Sequence, residues 1–412
     1  MDPNVRWLGV GAAVRATGIS LILPFLALYL RNILGLGYVE IGVLVALLGI
    51  LPIAIYPFGG AIADRLGRRW LFLGSLMLEA GSVIGTGAAM RAGLLAGVLG
   101  FALLVSLAGA LGGPALSAYV ADLTVGSDRT RGFTWLRIGW NLGFTVGAFS
   151  GGALIGFLGF SMVGFLAGAV LVGSTALLVG RLQASPYDRD RAAGRPRPSA
   201  STDPAVPTRA TWRTIAHDRV FLVVSLTFAV AYLSVNQWST TFPLYANTVL
   251  GLPYAVVGIG LALNGVLVVV AQAPTTRAAI GHRHTTLLLV GALLYVGGFL
   301  LFGTAALVPG LVLVGFLAAV VVLTMGENVM SIPYSTLPSN LAPSGEIGAY
   351  NGAFFAISGI GLTLATTFGG LVLSLGLSPP VTWGILMLPA LPALAIGYPW
   401  IARRVPAVPN RA

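Results

Sequence analysis

The chain is 412 residues long, 57% apolar and only 8% charged, with a mean hydropathy of +0.91, a balance that excludes a soluble globular protein and implies a polytopic membrane protein. It has no cysteine, which excludes disulfides and thiolate metal sites, and its three histidines lie outside the apolar runs, so no metal or organic cofactor is expected. The net charge of +11 rests on arginine alone, lysine being absent, and the arginines fall between apolar runs, where membrane orientation rather than nucleic acid accounts for them.

In chain order, the run at 7–30 contains Arg15 and Pro24 and is too long for a signal-peptide core, so it reads as the first span. Further runs lie near 39–59, 70–90, 94–120, 137–157, 160–180, 220–244, 254–273, 285–306, 309–333, 350–374 and 380–402. Each approaches the roughly 20 residues that cross a bilayer as a helix. The expected fold class is all-α integral membrane, with twelve transmembrane helices. An even number puts both termini on one side, and 20 of the 23 arginines fall at the termini or in even-numbered loops. Only Arg31 and Arg91 lie in odd-numbered loops and Arg15 inside a span. The positive-inside rule therefore predicts a multi-pass protein of the cell membrane with both termini cytoplasmic.

The stretch Arg181–Arg219 carries eight arginines and several prolines with almost no apolar periodicity. It reads as a solvated, mobile tether in which Asp188-Arg189-Asp190-Arg191 buries nothing, with a short amphipathic piece around Thr211–Arg219. This divides the chain into a six-span bundle at 1–182, a linker at 183–218 and a second bundle at 219–412. The halves repeat. At an offset of 216, Leu28-Tyr29 falls on Leu244-Tyr245, Leu34-Gly35-Leu36 on Leu250-Gly251-Leu252, Tyr38 on Tyr254, Gly42 on Gly258, Ala46-Leu47 on Ala262-Leu263 and Gly49 on Gly265. At 218, Gly143, Thr145, Gly151 and Gly152 fall on Gly361, Thr363, Gly369 and Gly370, Asp122 on Asn340 and Asp128 on Glu346.

Between spans 2 and 3, the stretch from Gly60 through Asp64, Arg65, Gly67, Arg68 and Arg69 places one acid and three arginines in six positions that no membrane interior accepts. Its order, G-x-x-x-D-R-x-G-R-R, resembles the loop between helices 2 and 3 of the major facilitator superfamily, and with the two six-helix halves and the linker the resemblance covers nearly the whole chain. A second motif, Gly143-x-x-x-Gly147-Ala148-x-x-Gly151-Gly152 in span 5, is similar to the antiporter signature of the family's drug:proton branch, with alanine in place of its proline. Residues four apart share a helix face, so these glycines form a groove for another backbone, and span 8 with Gly258, Gly260 and Gly265 is the expected partner. The resemblance implies a cytoplasmic gate in which Asp64 caps the helix beginning near Tyr350 and Arg68 pairs with Asp122, with Arg129 and Arg131 as competitors. The second-half copy, Arg277-Ala278-Ala279-Ile280-Gly281-His282-Arg283-His284, lacks the aspartate.

Three formal charges lie well inside spans: Arg15, Glu79 and Glu327. Each costs at least about 2.5 kcal/mol at mid-depth unless paired, hydrated or neutralised. Arg15 and Glu79 both lie about 12–14 Å from the cytoplasmic ends of their helices by the 1.5 Å rise, so they can pair. Glu327 has no cation at similar depth in its own half and reads as the proton-coupling carboxyl. Asn141, Asn236, Gln237, Asn264, Gln272 and Ser331 add polarity on spans 5, 7, 8 and 10. The aromatic residues Tyr232, Trp238, Phe242, Tyr245, Tyr334, Phe354 and Phe355 either line an amphiphile-sized pocket or pack the bundle.

These features point to a secondary active transporter, not an enzyme, that moves a small amphiphilic molecule by alternating access, with proton-coupled efflux favoured and the proton gradient as its energy source. No G-x-x-x-x-G-K loop is present for ATP. The alternatives are a sugar or metabolite uniporter or symporter and, in another class, a non-transporting receptor or a lipid flippase on the same scaffold. The expected partners are the small-molecule substrate, protons and membrane lipids, with no nucleic acid and a monomeric state.

Overall fold

A chain this apolar satisfies its backbone in lipid only by closing hydrogen bonds within helices, and in the computed structural model, which describes residues 2–55, 59, 62–63, 65–124, 127–193, 209–343 and 346–405, every long element among the described residues is helical. The passes are α1 (Pro3–Asn32), α2 (Tyr38–Ile53), α3 (Arg68–Ala92) and α4 (Leu95–Leu123). Passes α5 (127–158) and α6 (160–181) form one run, Ser127–Arg181, interrupted only by Gly159 at φ 77° and ψ 164°. The second half supplies α7 (Arg219–Val249), α8 (Tyr254–Ala279), α9 (His284–Ala305), α10 (Val312–Leu341), α11 (Ile347–Ser374) and α12 (379–404).

Equivalent first helices start on equivalent caps. Asp2 accepts from the Asn4 amide at 2.7 Å, and Asp218, 216 residues on, accepts from the Phe221 amide at 2.9 Å. Each aspartate satisfies an amide that a helix N-terminus leaves without a carbonyl partner.

The helices form two compact units. The first comprises Met1–Leu36, Leu47–Pro198 and Leu252–Val266, and the second Gly37–Ala46, Ser199–Gly251 and Leu267–Ala412. Each unit thus takes in the first turns of one helix from the other half of the sequence, α8 in the first and α2 in the second.

Glycine decides how these helices meet, and here the expectation about span 5 needs correcting. A Cβ at Gly143, Gly147 or Gly151 would fall inside van der Waals contact of the carbonyl oxygens of Ala13, Thr17 and Leu21, so the groove receives α1 and not α8. The helix that meets α8 is reached through Gly152, whose added Cβ would strike the Tyr254 carbonyl and lie 2.9 Å from Gly258 Cα. A stripe of small residues signals close approach but does not name the approaching backbone. The second unit repeats both contacts. Gly361 abuts the Ala229 carbonyl and Gly370 abuts Tyr38 and Gly42, each partner displaced by 216 from its counterpart. Hydrogen bonds obey the same rule: Asn32 Nδ2 donates to Tyr254 Oη at 2.9 Å in the first unit, and Tyr38 Oη to Thr248 Oγ1 at 2.9 Å in the second.

Candidate functional site

In the first unit, Arg15 on α1 reaches Glu79 on α3 side-on, with Nε to Oε2 at 2.5 Å and Nη2 to Oε1 at 2.7 Å. The Glu79 side chain is 2% exposed and that of Arg15 is 20% exposed, so the carboxylate is sealed while the guanidinium keeps an open side. Gly109 on α4 lies alongside, where an added Cβ would sit at an ordinary contact distance of 3.8 Å from Arg15 Nη2. The other side of Arg15 faces Trp140 on α5, whose ring centroid is 5.2 Å from the guanidinium carbon. Beside it lies a cavity of about 240 Å3 lined by Arg15, Arg137 and Trp140 together with Leu8, Phe72 and Leu178. Neither Arg137 nor Trp140 is singled out by sequence, because their place beside Arg15 depends on the α1–α5 docking that the glycines set.

The second unit has a cavity at the matching place with different chemistry. Thr227, Phe228, Ala231 and Leu288 line it, 216 residues after Gly11, Ala12, Arg15 and Phe72. Its volume is about 30 Å3, room for a water molecule or two, because Phe228 and Thr227 fill space that Ala12 and Gly11 leave open. At the position equivalent to Glu79 stands Tyr295, and its buried hydroxyl has no partner at hydrogen-bonding geometry. Its polar surroundings are the Glu327 carboxyl and the Trp238 indole. Glu327, half-buried on α10, also acts electrostatically on Tyr232 of α7. The Tyr232 and Tyr334 rings meet edge-on at 5.3 Å, and Phe354 and Phe355 lie 5.1 and 5.5 Å from Tyr334. Glu327 thus has the phenols of Tyr232 and Tyr295 among its electrostatic neighbours. Tyr295 was legible only through its offset of 216 from Glu79.

The remaining polar candidates make contacts of their own. Gln237 is 2% exposed and spends its amide within the second unit, donating to Leu233 O and to Ala365 O and accepting from Thr241 Oγ1. It holds α7 to α11. Asn236 Nδ2 donates to Leu362 O at 2.8 Å, and Asn141 Nδ2 to Arg137 O of its own helix at 2.9 Å. Asn264 belongs to the first unit with α8's opening turns. Gln272 approaches Ser331 Oγ at 3.5 Å. Among the aromatic candidates Phe242 and Tyr245 are core, 2% and 0% exposed, packed with Phe302.

The residues expected at the gate include a second charged group in the first unit. Arg68 Nη1 meets Asp122 Oδ1 at 2.5 Å and the Ala118 carbonyl at 3.3 Å. Gly67 caps α3 at φ 97°, a conformation that favours glycine and supplies no capping side chain. The cap comes from the linker instead: Asp188 Oδ1 accepts from the Arg68 amide at 2.8 Å and Oδ2 from the Arg69 amide at 3.2 Å. A carboxylate at a helix N-terminus also meets the positive end of the helix dipole. Tyr187 lies under the Arg68 guanidinium at 4.1 Å, and Ser185 Oγ donates to Asp122 Oδ2 at 3.1 Å. The expectation that this charged run is solvated and buries nothing is thus corrected. Pro186–Ala192 is helical and Asp188 is 8% exposed, since the run supplies a cap that α3 lacks. Farther along, Arg209–His217 forms the amphipathic helix, with Ile215 buried and Trp212 exposed.

Arg129 donates to the carbonyls of Ala121 and Thr124 at the end of α4, and Arg131 lies 3.7 Å from Asp128 on an exposed surface. Arg69 lies over Trp70, and Arg65 is exposed. Gly60 and Asp64 lie outside the described residues, and so does the proposed cap on α11. In the second unit the equivalents of Arg68 and Asp122 are His284 and Asn340, joined at 3.4 Å.

Comparison with known proteins places these features in a family. The model of the Major Facilitator Superfamily matches residues 8–366. An uncharacterized MFS-type transporter of Bacillus subtilis, YttB, is 25% identical over 384 residues, covering 90% of this chain and 89% of its own. The multidrug resistance protein MdtH of Edwardsiella ictaluri is 24% identical over 398 residues, covering 96% and 93%. Among solved structures, a mutant of the nucleoside transporter NupG superposes with a TM-score of 0.78 at 14% identity, covering 97% of this chain and 99% of that one, a likeness of fold alone.

Proposed function

The chain belongs to the Major Facilitator Superfamily, and from that premise we propose that this multi-pass membrane transporter exports a small amphiphilic molecule in exchange for protons, with Glu327 as the coupling carboxyl. The observation that carries the reading is the contrast between two acids inside the spans, one sealed and one half-buried. Glu79 is held by both oxygens in an arginine fork, whereas the neighbours that act on or with Glu327 include the phenols Tyr232 and Tyr295. A carboxylate locked to arginine is a poor proton carrier, because protonating it strands a buried cation. One set among phenols can take up and release a proton with less disruption of its surroundings.

Exchange needs little more than this. A carboxyl that must lose its proton before cargo binds, and regain it before the empty carrier returns, links the two fluxes. The full-length multidrug resistance relative supports export as the direction. The arginine distribution supports a cytoplasmic placement of both termini and the linker. A cysteine introduced at Ser199 should then resist an impermeant reagent applied to intact cells, and labelling as fast as at an external-loop cysteine would reverse the orientation. Uncoupled facilitation is favoured by one feature, Ala148 in place of the antiporter motif's proline.

Glu327→Gln in proteoliposomes separates the readings. Coupled exchange predicts that gradient-driven transport collapses while substrate binding persists without its pH dependence. Accumulation at the wild-type rate rejects Glu327 as the coupling group.

A further inference from the structure

The contacts of the charged run after α6 close a ring. Asp122 at the end of α4 divides its carboxylate, with Oδ1 on Arg68 Nη1 of α3 at 2.5 Å and Oδ2 accepting from Ser185 Oγ of the linker at 3.1 Å. Ser185 Oγ in turn accepts from the Asp188 amide at 3.0 Å, and the Asp188 carboxylate accepts from the Arg68 amide at 2.8 Å. Four bonds therefore lead from Arg68 back to Arg68 through α4 and the linker. Ser185 and Asp188 are both buried, so water competes little for these bonds. The start of the linker is anchored separately: the Gln183 amide donates to Asn4 Oδ1 at 2.9 Å, and the Gln183 carbonyl accepts from Tyr119 Oη.

Capping alone does not account for the ring. The matching helix of the second unit, α9, begins at His284 after Arg283 with no side-chain cap, so a helix at this place in the repeat starts without one. At the offset of 218, Arg403 stands for Ser185 and Pro406 for Asp188, and neither can accept a bond through its side chain. The second unit brings His284 and Asn340 together without those two acceptors. What the first unit adds is a tie between its ion pair and the linker.

We propose that residues 183–190 are a two-way latch: the docked linker holds Arg68 and Asp122 together, and parting of that pair lets the linker go. Each bond of a ring fixes the geometry of the next, so breaking one loosens bonds that the lost group never touched. Linkage makes the coupling the same in both directions. The linker thereby becomes a regulatory element of the charged group at the starts and ends of α3 and α4, whatever role Glu327 has.

The chain has no cysteine of its own, so a spin label at Arg189→Cys, an exposed position on the linker helix, reads docking in the full-length protein in nanodiscs. Asp122→Ala alters α4 and leaves the linker's own sequence intact, yet it should turn the label's spectrum from immobilised to mobile. In the opposite direction, Asp188 bonds to amides of α3 and to Ser185, yet Asp188→Ala should speed amide exchange over residues 119–123 of α4 by about fivefold. Ser185→Ala, which removes no charge, should do both. Asp218→Ala, the cap of α7, is the control and should change neither readout.

A melting curve for each variant establishes folding. If Asp122→Ala does not fold, Asp122→Asn keeps an acceptor at only one of the two carboxylate positions and opens the ring with a smaller perturbation. An immobilised label in the folded Asp122 variant, or unchanged exchange over residues 119–123 in Asp188→Ala, overturns the latch and leaves Asp188 as a cap of α3 alone. A mobile label with Arg68, Asp122, Ser185 and Asp188 all in place overturns the docking itself.

Discussion

The two units spend their buried polar positions in opposite ways. In the first, positions 15 and 79 hold an arginine–glutamate fork and positions 68 and 122 a second ion pair. In the second, the equivalents are Ala231 with Tyr295 and His284 with Asn340, formally neutral pairs. Yet the glycine contacts that seat α5 on α1 and α11 on α7 are the same in both. A duplicated scaffold keeps what sterics forbid it to change, because a Cβ driven into a backbone carbonyl has no rotamer by which to escape. Its polar side chains are freer, and there the halves part: the first carries ion pairs at these positions, and the second carries Ala231, Tyr295, His284 and Asn340.

The largest effect should come from breaking the charged side of that comparison. Glu79→Gln leaves Arg15 without its counter-charge and should destabilise the protein by about 3–5 kcal/mol, with the Arg15→Gln and Glu79→Gln double variant recovering much of the loss. Tyr295→Phe at the matching position removes a hydroxyl that has no partner at bonding geometry and should shift stability by less than about 1 kcal/mol. Thermal unfolding in detergent, with the Arg15→Gln single variant included, measures all four. Additive losses at 15 and 79, or a Tyr295→Phe cost as large as that of Glu79→Gln, would dissolve the contrast.

Next come the positions where the halves agree. Gly143→Ala and Gly361→Ala should each cost about 1–3 kcal/mol or more, in similar amounts, because both drive a methyl into a carbonyl of the facing helix. Gly156→Ala, with nothing within 4 Å of the new Cβ, is the control and should be near neutral. Unequal losses at 143 and 361 would mean that the shared packing is geometric but not energetic.

A smaller effect is expected at the linker. Asp188→Ala removes the cap of α3 and should cost about 1 kcal/mol, with faster tryptic cleavage after Arg189 as the segment detaches. The same change at Asp218, a cap inside the second unit, should cost as much without exposing Arg189. Unchanged cleavage in Asp188→Ala would return the segment to a passive tether.

The smallest belongs to Arg131. Its contact with Asp128 is 3.7 Å long between side chains 73% and 49% exposed, and Arg131→Gln should move stability by no more than about 0.5 kcal/mol.

The repeat was the most legible part of the sequence, because offsets of 216 and 218 keep tyrosines and glycines in step and the structure turns those identities into contacts. The Arg15–Glu79 fork was legible from helix rise alone, since two opposite charges at one depth have strong reason to meet. What sequence left open was partnership. The α5 glycines announce a close approach, but only the docked helices reveal that Gly143, Gly147 and Gly151 take α1 while Gly152 takes α8. Arg137 and Trp140 look like loop and interface residues until α1 is placed beside them. Asp188 hides in a run whose alternating charges mimic a solvated tether. Its value comes from Gly67, a cap position with no side chain to offer, more than a hundred residues earlier.

Gly159 carries a consequence for how the protein is made. It alone breaks the run from Ser127 to Arg181, so α5 and α6 share a joint one residue long, with no spare chain between them. Such a pair is expected to enter the bilayer as a hairpin, since the joint gives neither helix slack to settle apart from the other. The joint also has no length to surrender to a protease, a glycan or an inserted epitope unless helical turns unwind on either side. The α4–α5 junction, between Leu123 and Ser127, is a different place to cut, and splitting the chain there leaves both helices of the hairpin on one fragment.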